Sequence, residues 1–473
     1  MNPHVVLYIF FLGIAGLFYL DRDKLVRPSR ALWIPVLWLG ILGSRSVSAW
    51  FGIKPPEGVD VQMEGSPVDR FFYQVLIVAG VIVLIRRRSR VTPLLKASWP
   101  LIMYFSYCLL SCLWSDFPDI SLKRWIKAIG DLVMVLVVVT DAEPVAALKH
   151  LFSRLGFVLL PTSIVFIRYF GDLGRGYTAD GFPMNTGVTT NKNALGNVAA
   201  LLLLGTLWRV LSLLDNKKHP GRGRHLLAQL TLLAIALQVL VMAQSATSIA
   251  CAVLGAALML AARVPAIRRS PSAVHALVLG IILAGGITFL MGGQAGLVHA
   301  LGRQENLTGR TDIWAAVLAA GTNPVVGAGF ESFWITPRYM AKFVHHLAGW
   351  WEPEALNEAH NGYLEVYLNL GWVGVTMIAI ILISGYRASV AAFRRDPQIA
   401  GLMLAYVATT AIYSITEAGF RMLSEPWIFL LLAITSSYRI SAGAVEEVPE
   451  DLREPAERMS EMATSDTHAV GRS

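Results

Sequence analysis

Charge is scarce in this chain. Of its 473 residues only 15% are Asp, Glu, Lys or Arg, against 55% hydrophobic. That leaves too little polar surface to cover a soluble fold of this length. Cysteine is almost absent: Cys108, Cys112 and Cys251 all fall inside apolar runs. There they pack as small hydrophobes rather than form a disulfide or a metal site, so they carry no information on redox compartment. No Gly-x-x-x-x-Gly-Lys-Ser/Thr stretch occurs, which argues against ATP-driven transport by this chain alone. His-Glu-x-x-His and Gly-x-Ser-x-Gly are missing too, and His345-His346 stand too far from His360 for a local zinc motif. There is no 20-to-50-residue repeat and no inverted hydropathy symmetry of the kind many secondary transporters show.

What the chain has is apolar length. Runs of about 18 to 22 residues recur along most of it, the length an α-helix needs to cross roughly 30 Å of hydrocarbon. They do not alternate as the strands of a membrane β-barrel would. The first, 3–20, ends in Asp-Arg-Asp-Lys without a small-residue cleavage site and is read as a retained helix. Thirteen spans are expected between 3–20 and 425–439, or twelve if 121–140, with Lys123, Arg124, Lys127 and Asp131, is not one. The fold class predicted is an all-α polytopic membrane protein.

The net charge of +8 is concentrated in alternate connections. Residues 21–30 hold four Lys or Arg, 86–96 hold five, and 263–269 and 387–395 hold three each, with Lys217, Lys218, Arg222 and Arg224 in 216–225. This is the positive-inside pattern, and it outweighs a nucleic-acid reading of the charge. The N-terminus is then outside. The chain divides into N-terminal helices over 1–190 with an outer loop at 168–190, central helices over 191–292, a large outer loop at 293–361, C-terminal helices over 362–439 and an acidic, disordered cytoplasmic tail over 440–473. A loop of about 70 residues among short ones is where function is expected. Its Trp314, Trp334, Trp350, Trp351 and Tyr339 suit either the membrane interface or stacking on sugar rings.

Polar residues gather at the outer edge. Arg310 opens an apolar helix-like run, which places an always-charged fork beside a positive helix end and suits phosphate oxygens; the alternative is a solvent-facing or Asp312-paired residue. His360, beside Glu358 and Asn361, suits a general base, or is a polar residue at a helix end. Arg45, near the outer end of the second span, either serves the site or pairs with Asp116 or Glu417. Glu417 and Arg421 either pair with each other or orient the site.

Three motifs in order, Gly309-Arg310-x-x-x-Trp314, Pro324-x-x-Gly327-x-Gly329, and His360-Asn361 followed by Gly371-x-x-Gly374, resemble the signature of the O-antigen ligase and Wzy-type polymerase superfamily, over roughly 190–385. Ser44-Arg45-Ser46-Val47-Ser48, Trp114-Ser115-Asp116-Phe117-Pro118 and Thr189-Thr190-Asn191-Lys192-Asn193 resemble its exopolysaccharide-polymerase, ExoQ-like branch. The resemblance implies a GT-C-like glycosyltransferase with about twelve to thirteen spans and a large helical periplasmic loop in a bacterial inner membrane. It implies transfer from a polyprenyl-diphosphate-linked oligosaccharide, a repeat-unit polymerase before a ligase acting on a lipid A core, with no cofactor or metal and no nucleic acid. Membrane lipid, a chain-length regulator and a flippase would be its partners.

Carried over, Arg310 would bind the donor diphosphate and His360 would activate or position the acceptor hydroxyl. Ligases of the superfamily typically carry a further Arg near the start of the ninth span, where this chain reads Gln244-Ser245-Ala246-Thr247-Ser248. The second cation is expected at Lys192, with Arg168, Arg175 and Arg45 behind it. From a different class, a carrier of a lipid-linked solute would need a polar path through the bundle centre. An assembly factor without chemistry would leave Arg310 and His360 replaceable.

Overall fold

A computed structural model describes residues 3–23, 26–53, 65–178, 181–265, 275, 276, 280, 308–347 and 356–442. Most of the expected span 274–292, Trp350, Trp351 and nearly all of the expected tail lie outside these residues. Each of the other expected spans is helical: α1 (Pro3–Leu20), α2 (Trp33–Leu42), α3 (Pro67–Arg86), α4 (Trp99–Ser111), α5 (Pro118–Val139), α6 (Pro144–Tyr169), α7 (Lys192–Asp215), α8 (Arg222–Ala243), α9 (Ala246–Ala261), and, after the helices α10 (Thr308–Ala319) and α11 (Pro337–His346) of the large loop, α12 (Gly362–Ala392), α13 (Pro397–Thr416) and α14 (Glu425–Ser441). The chain is an all-α polytopic membrane protein.

Among the described residues six helices, α3, α6, α7, α8, α12 and α13, are long and apolar enough to cross a membrane singly. The others fall short for local reasons. Ser46 ends the second span early: its hydroxyl accepts from Ala49 N and caps a new turn, Val47–Trp50, so that 31–52 is broken rather than continuous. The fourth span passes only together with Arg88–Ala97, from which it is bent by 86°. In α5 the charges all precede 132–139, which is buried throughout.

The central helices pack around one apolar core in which Trp38, Trp208, Trp427 and Tyr406 are fully buried. Asn193, at the start of α7, reaches Glu417 just past α13, and Asp215, at the other end of α7, meets Arg263 and Gln398. The basic connections 216–225 and 387–395 therefore lie at the end of the bundle away from Glu417. Buried ion pairs fasten that basic end: Arg209 to Asp21 at 2.7 Å, with His225 and Gln229 on the same carboxyl oxygen, and Arg87 to Asp141 at 3.0 Å.

Residues 168–190 are more structured than a loop. Arg168 lies in the last turn of α6, and Arg175–Tyr177 pairs antiparallel with Pro183–Asn185, a two-stranded departure from all-α. The described part of the large loop carries the helices α10 and α11 and has its own small core, in which Trp334, Phe333, Tyr339 and Phe343 bury against Ile313, Val317 and Leu368. Trp334 and Tyr339 are thus neither interface anchors nor sugar platforms.

Two glycines join this loop to α12. At Gly371 α12 leaves helical geometry (φ 63°, ψ −165°). The backbone groups released there pair with the Pro324–Gly329 turn: Ala328 N donates to Leu368 O (3.0 Å), Gly329 N to Asn369 O (2.8 Å), Trp372 N to Pro324 O (2.9 Å) and Val373 N to Val325 O (3.2 Å). The chains come so close that a Cβ on Gly371 would lie 2.2 Å from the Val325 carbonyl, and one on Gly327 2.3 Å from the Asn369 carbonyl carbon. Satisfying the broken helix with a neighbouring turn is the solution expected where backbone leaves helix at membrane depth.

Candidate active site

Arg310 and Trp314 are four residues apart on α10 and so share one face. Trp314 Nε1 donates to Ala359 O at 2.8 Å, which fixes the segment before His360 beside the start of α10. From below, Glu365 of α12 accepts Ala359 N and, at 3.0 Å, Trp334 Nε1. Asn361 turns the chain into α12: its Oδ1 accepts Tyr363 N and Leu364 N, both at 3.0 Å. Asn361, expected among the substrate-binding residues, is therefore the N-cap that sets the angle of His360, a contribution of about 1 kcal/mol. His360 itself has φ 49°, outside the usual range for a side chain of its size. Such a conformation costs on the order of 1 kcal/mol or more and persists where surrounding contacts over-determine it.

These constraints assemble an alternating row of charges. Arg310 Nη2 lies 2.7 Å from Glu417 Oε1, and Glu417 Oε2 lies 3.6 Å from His360 Nδ1. His360 Nδ1 is 2.9 Å from Glu358 Oε1, an ion contact without hydrogen-bond alignment. Glu358 Oε2 is 3.9 Å from Arg421 Nη1, and Arg421 Nη2 is 3.5 Å from Glu331 Oε2. The two outer glutamates, Glu417 and Glu331, are 7% and 8% exposed, whereas Arg310, Glu358, His360 and Arg421 are 23% to 33% exposed, so the row has a buried back and an open front.

Burial disfavours the charged imidazole of His360, but Glu358 and Glu417 override it and raise its pKa to about 10. Burial would likewise raise Glu358, yet the adjoining His360, and then Arg421 and Arg310, hold its carboxyl below the usual range. At neutral pH the centre of the row is therefore an imidazolium between two carboxylates. Ligand-type atoms of Glu358, His360 and Glu417 fall within 4.8 Å of one another, a spacing that a divalent ion could also use. The same carboxylates already face two guanidiniums.

The structure brings Arg310, His360, Glu358, Asn361 and Glu417 together and gives them these partners. Arg310 pairs with Glu417 rather than Asp312. Glu417 pairs with Arg310 and His360, and Arg421 with Glu331 and Glu358, so the two are not a pair with each other. Arg45 meets neither Asp116 nor Glu417: it donates to the carbonyls of Leu173, Gly187 and Thr189 and ties the second helical segment to the hairpin region, while Asp116 pairs with Arg338. Arg175 donates to Ile167 O at 2.9 Å. Lys192 is the first residue of α7, beside Asn193, whose amide donates to Glu417 Oε1 at 3.0 Å.

Residues 231–379 match the O-antigen ligase family. This segment, from α8 to the middle of α12, is similar to that family over about a third of the chain. No curated protein matches the chain. The matched segment contains Arg310, Glu358, His360, Asn361 and the Gly327–Gly371 junction. The other side of the charge row, Glu417 and Arg421, comes from the α13–α14 connection beyond it.

Sequence reasoning missed Glu331, Glu365 and the use of Asp131, whose Oδ2 accepts Leu423 N at 2.9 Å and so places the Arg421 loop. A carboxylate one turn into an apolar helix, as Glu365 is, signals a demanding partner. Glu365→Ala strands two buried N–H donors and is expected to lower stability by about 2–5 kcal/mol. Glu365→Gln keeps one acceptor and should lose about 1 kcal/mol. Melting temperatures of the purified variants, ranked wild type, Gln, Ala, check this; equal values for Ala and wild type would remove Glu365 as the support beneath His360.

Proposed function

We propose that this protein is a GT-C-like, metal-independent glycosyltransferase that polymerises polyprenyl-diphosphate-linked oligosaccharide repeat units into exopolysaccharide or O-antigen on the periplasmic face of a bacterial inner membrane. The observation that carries the reading is the open-fronted row Arg310–Glu417–His360–Glu358–Arg421 at the end of the bundle opposite the basic connections. By the positive-inside rule that end is periplasmic, with the 168–190 and 293–361 loops, and the C-terminal tail is cytoplasmic.

Arg310 binds the donor diphosphate with its guanidinium fork. The acceptor hydroxyl attacks the anomeric carbon, the glycosidic bond forms, and the anomeric carbon–oxygen bond to the diphosphate breaks. The leaving lipid diphosphate departs as an anion held by arginine and needs no general acid. The imidazolium of His360 orients the acceptor oxygen, and the proton leaves to the adjoining Glu358. Inversion at one carbon is the simplest outcome of such a single displacement.

A ligase acting on a lipid A core is the second reading, favoured by the family match at 231–379. The Gln244–Ser248 segment weighs against it, because it lacks the arginine that the resemblance leads one to expect in ligases. A deletion strain complemented with wild type, Arg310→Ala or His360→Ala at equal membrane levels separates the two. Single repeats accumulating on lipid at the expense of long polymer establish a polymerase. Long lipid-linked polymer that never reaches lipid A establishes a ligase, and normal product from both variants sinks the catalytic reading. A flippase and a chain-length regulator complete the proposed pathway as partners.

A further inference from the structure

A sugar-linked lipid diphosphate carries two negative charges before transfer, and the lipid diphosphate that leaves carries up to three. One guanidinium does not match that charge in a site only partly screened by water. Resting on the function proposed above, we propose that Arg421 is the second diphosphate-binding cation, paired with Arg310 across His360.

Position is the first argument. Arg310 and Arg421 stand at the two ends of the alternating row, each beside a carboxylate that also faces His360: Glu417 for Arg310 at 2.7 Å and Glu358 for Arg421 at 3.9 Å. A ligand over His360 is thereby flanked by a guanidinium on either side.

Availability is the second. Arg421 Nη1 donates to Asn357 O at 3.1 Å, which anchors the side chain. Its two carboxylate partners stand at 3.5 and 3.9 Å, longer than a charge-assisted hydrogen bond, so they neutralise the fork without engaging it tightly. The side chain is 27% exposed. Of the second cations expected, Lys192 first among them, Arg45 and Arg175 donate to backbone carbonyls of the 167–189 region; Arg124 donates to Glu331 O.

Preorganisation is the third. The Arg421 loop is held by fully buried Asp131 through Leu423 N, and Leu423 keeps φ 53°. Glu331, on the far side of Arg421, keeps φ 51°. Two non-glycine residues in left-handed conformation, one on each side of one guanidinium, mark backbone held in place against its own preference. Diphosphate binding then exchanges carboxylate partners for phosphate oxygens on both arginines, and frees Glu358 to receive the acceptor's proton.

The test is the binding of inorganic pyrophosphate to the purified full chain in nanodiscs, by calorimetry, for wild type, Arg310→Gln, Arg421→Gln and Arg421→Lys. Both glutamine variants are expected to bind about 10- to 100-fold more weakly, the loss typical of a hydrogen bond to a charged group. Arg421→Lys keeps a charge beside Glu331 and should fall between them and wild type, because a point charge replaces a fork. If Arg421→Gln does not fold, the lysine variant decides alone. Wild-type binding in both Arg421 variants, with loss in Arg310→Gln, overturns the role of Arg421 and leaves the function standing. Wild-type binding in all three variants, or no binding by wild type, overturns the diphosphate reading itself.

Discussion

Arg310→Ala is expected to abolish product, with transfer falling by about 100-fold or more, the usual effect of removing one group that stabilises a developing anion in an enclosed site. The geometry makes the loss double. Without the guanidinium, Glu417 keeps its buried place and loses its 2.7 Å partner, so an excess negative charge faces the donor where a positive one stood. Arg310→Lys should recover part of the activity, since an ammonium restores charge but not the two-pronged approach to phosphate. The check is glycan chain length per unit of membrane protein for the three variants. Full activity in Arg310→Ala at equal protein level would separate the arginine from the chemistry.

Gly371→Ala is expected to prevent the protein from accumulating. A side chain at φ 63° and ψ −165° is in backbone space that only glycine occupies comfortably, and the added methyl would meet the Val325 carbonyl at 2.2 Å. Relief requires the Pro324–Gly329 turn to move off α12, which breaks the backbone bonds that replace the missing helical ones. The combined cost is about 4 kcal/mol or more, enough to unfold a marginally stable domain. Gly327→Ala should behave alike, as the same junction seen from the other chain. Membrane levels by immunoblot and melting of whatever is recovered check both; normal levels of either variant would mean that the junction is not what holds the large loop to the bundle.

Helices were the legible part of the fold. An apolar run of twenty residues leaves few alternatives in a membrane, and the expected spans within the described residues are helical. Breaks were not legible: Ser46 looks like an ordinary polar residue until it caps a turn, and Gly371 looks like a helix-packing glycine until another backbone is found against it. The same asymmetry holds at the site. Arg310, Glu358 and His360 announced themselves by falling in a long loop with a recognisable order, whereas Glu417 lies 107 residues along the chain from Arg310, a pairing that no local pattern encodes. Hence Glu417 is legible as a residue of the outer edge but its pairing with Arg310 is not, and Glu331 and Glu365 were not found. Asn361 is legible beside His360 from spacing, but that its oxygen faces the helix it caps depends on the turn into α12, which spacing does not encode.

The most direct measurement is transfer by the purified chain in nanodiscs, supplied with lipid-linked repeat units and scored for released lipid diphosphate together with lengthened glycan, with and without a divalent-metal chelator. Wild type is expected to release one lipid diphosphate for each repeat added and to be indifferent to the chelator, and Arg310→Ala and His360→Ala to yield neither product at unchanged melting temperature. Undiminished transfer by both variants would contradict this account, and transfer abolished by the chelator and restored by a divalent ion would place a metal where the account places arginines.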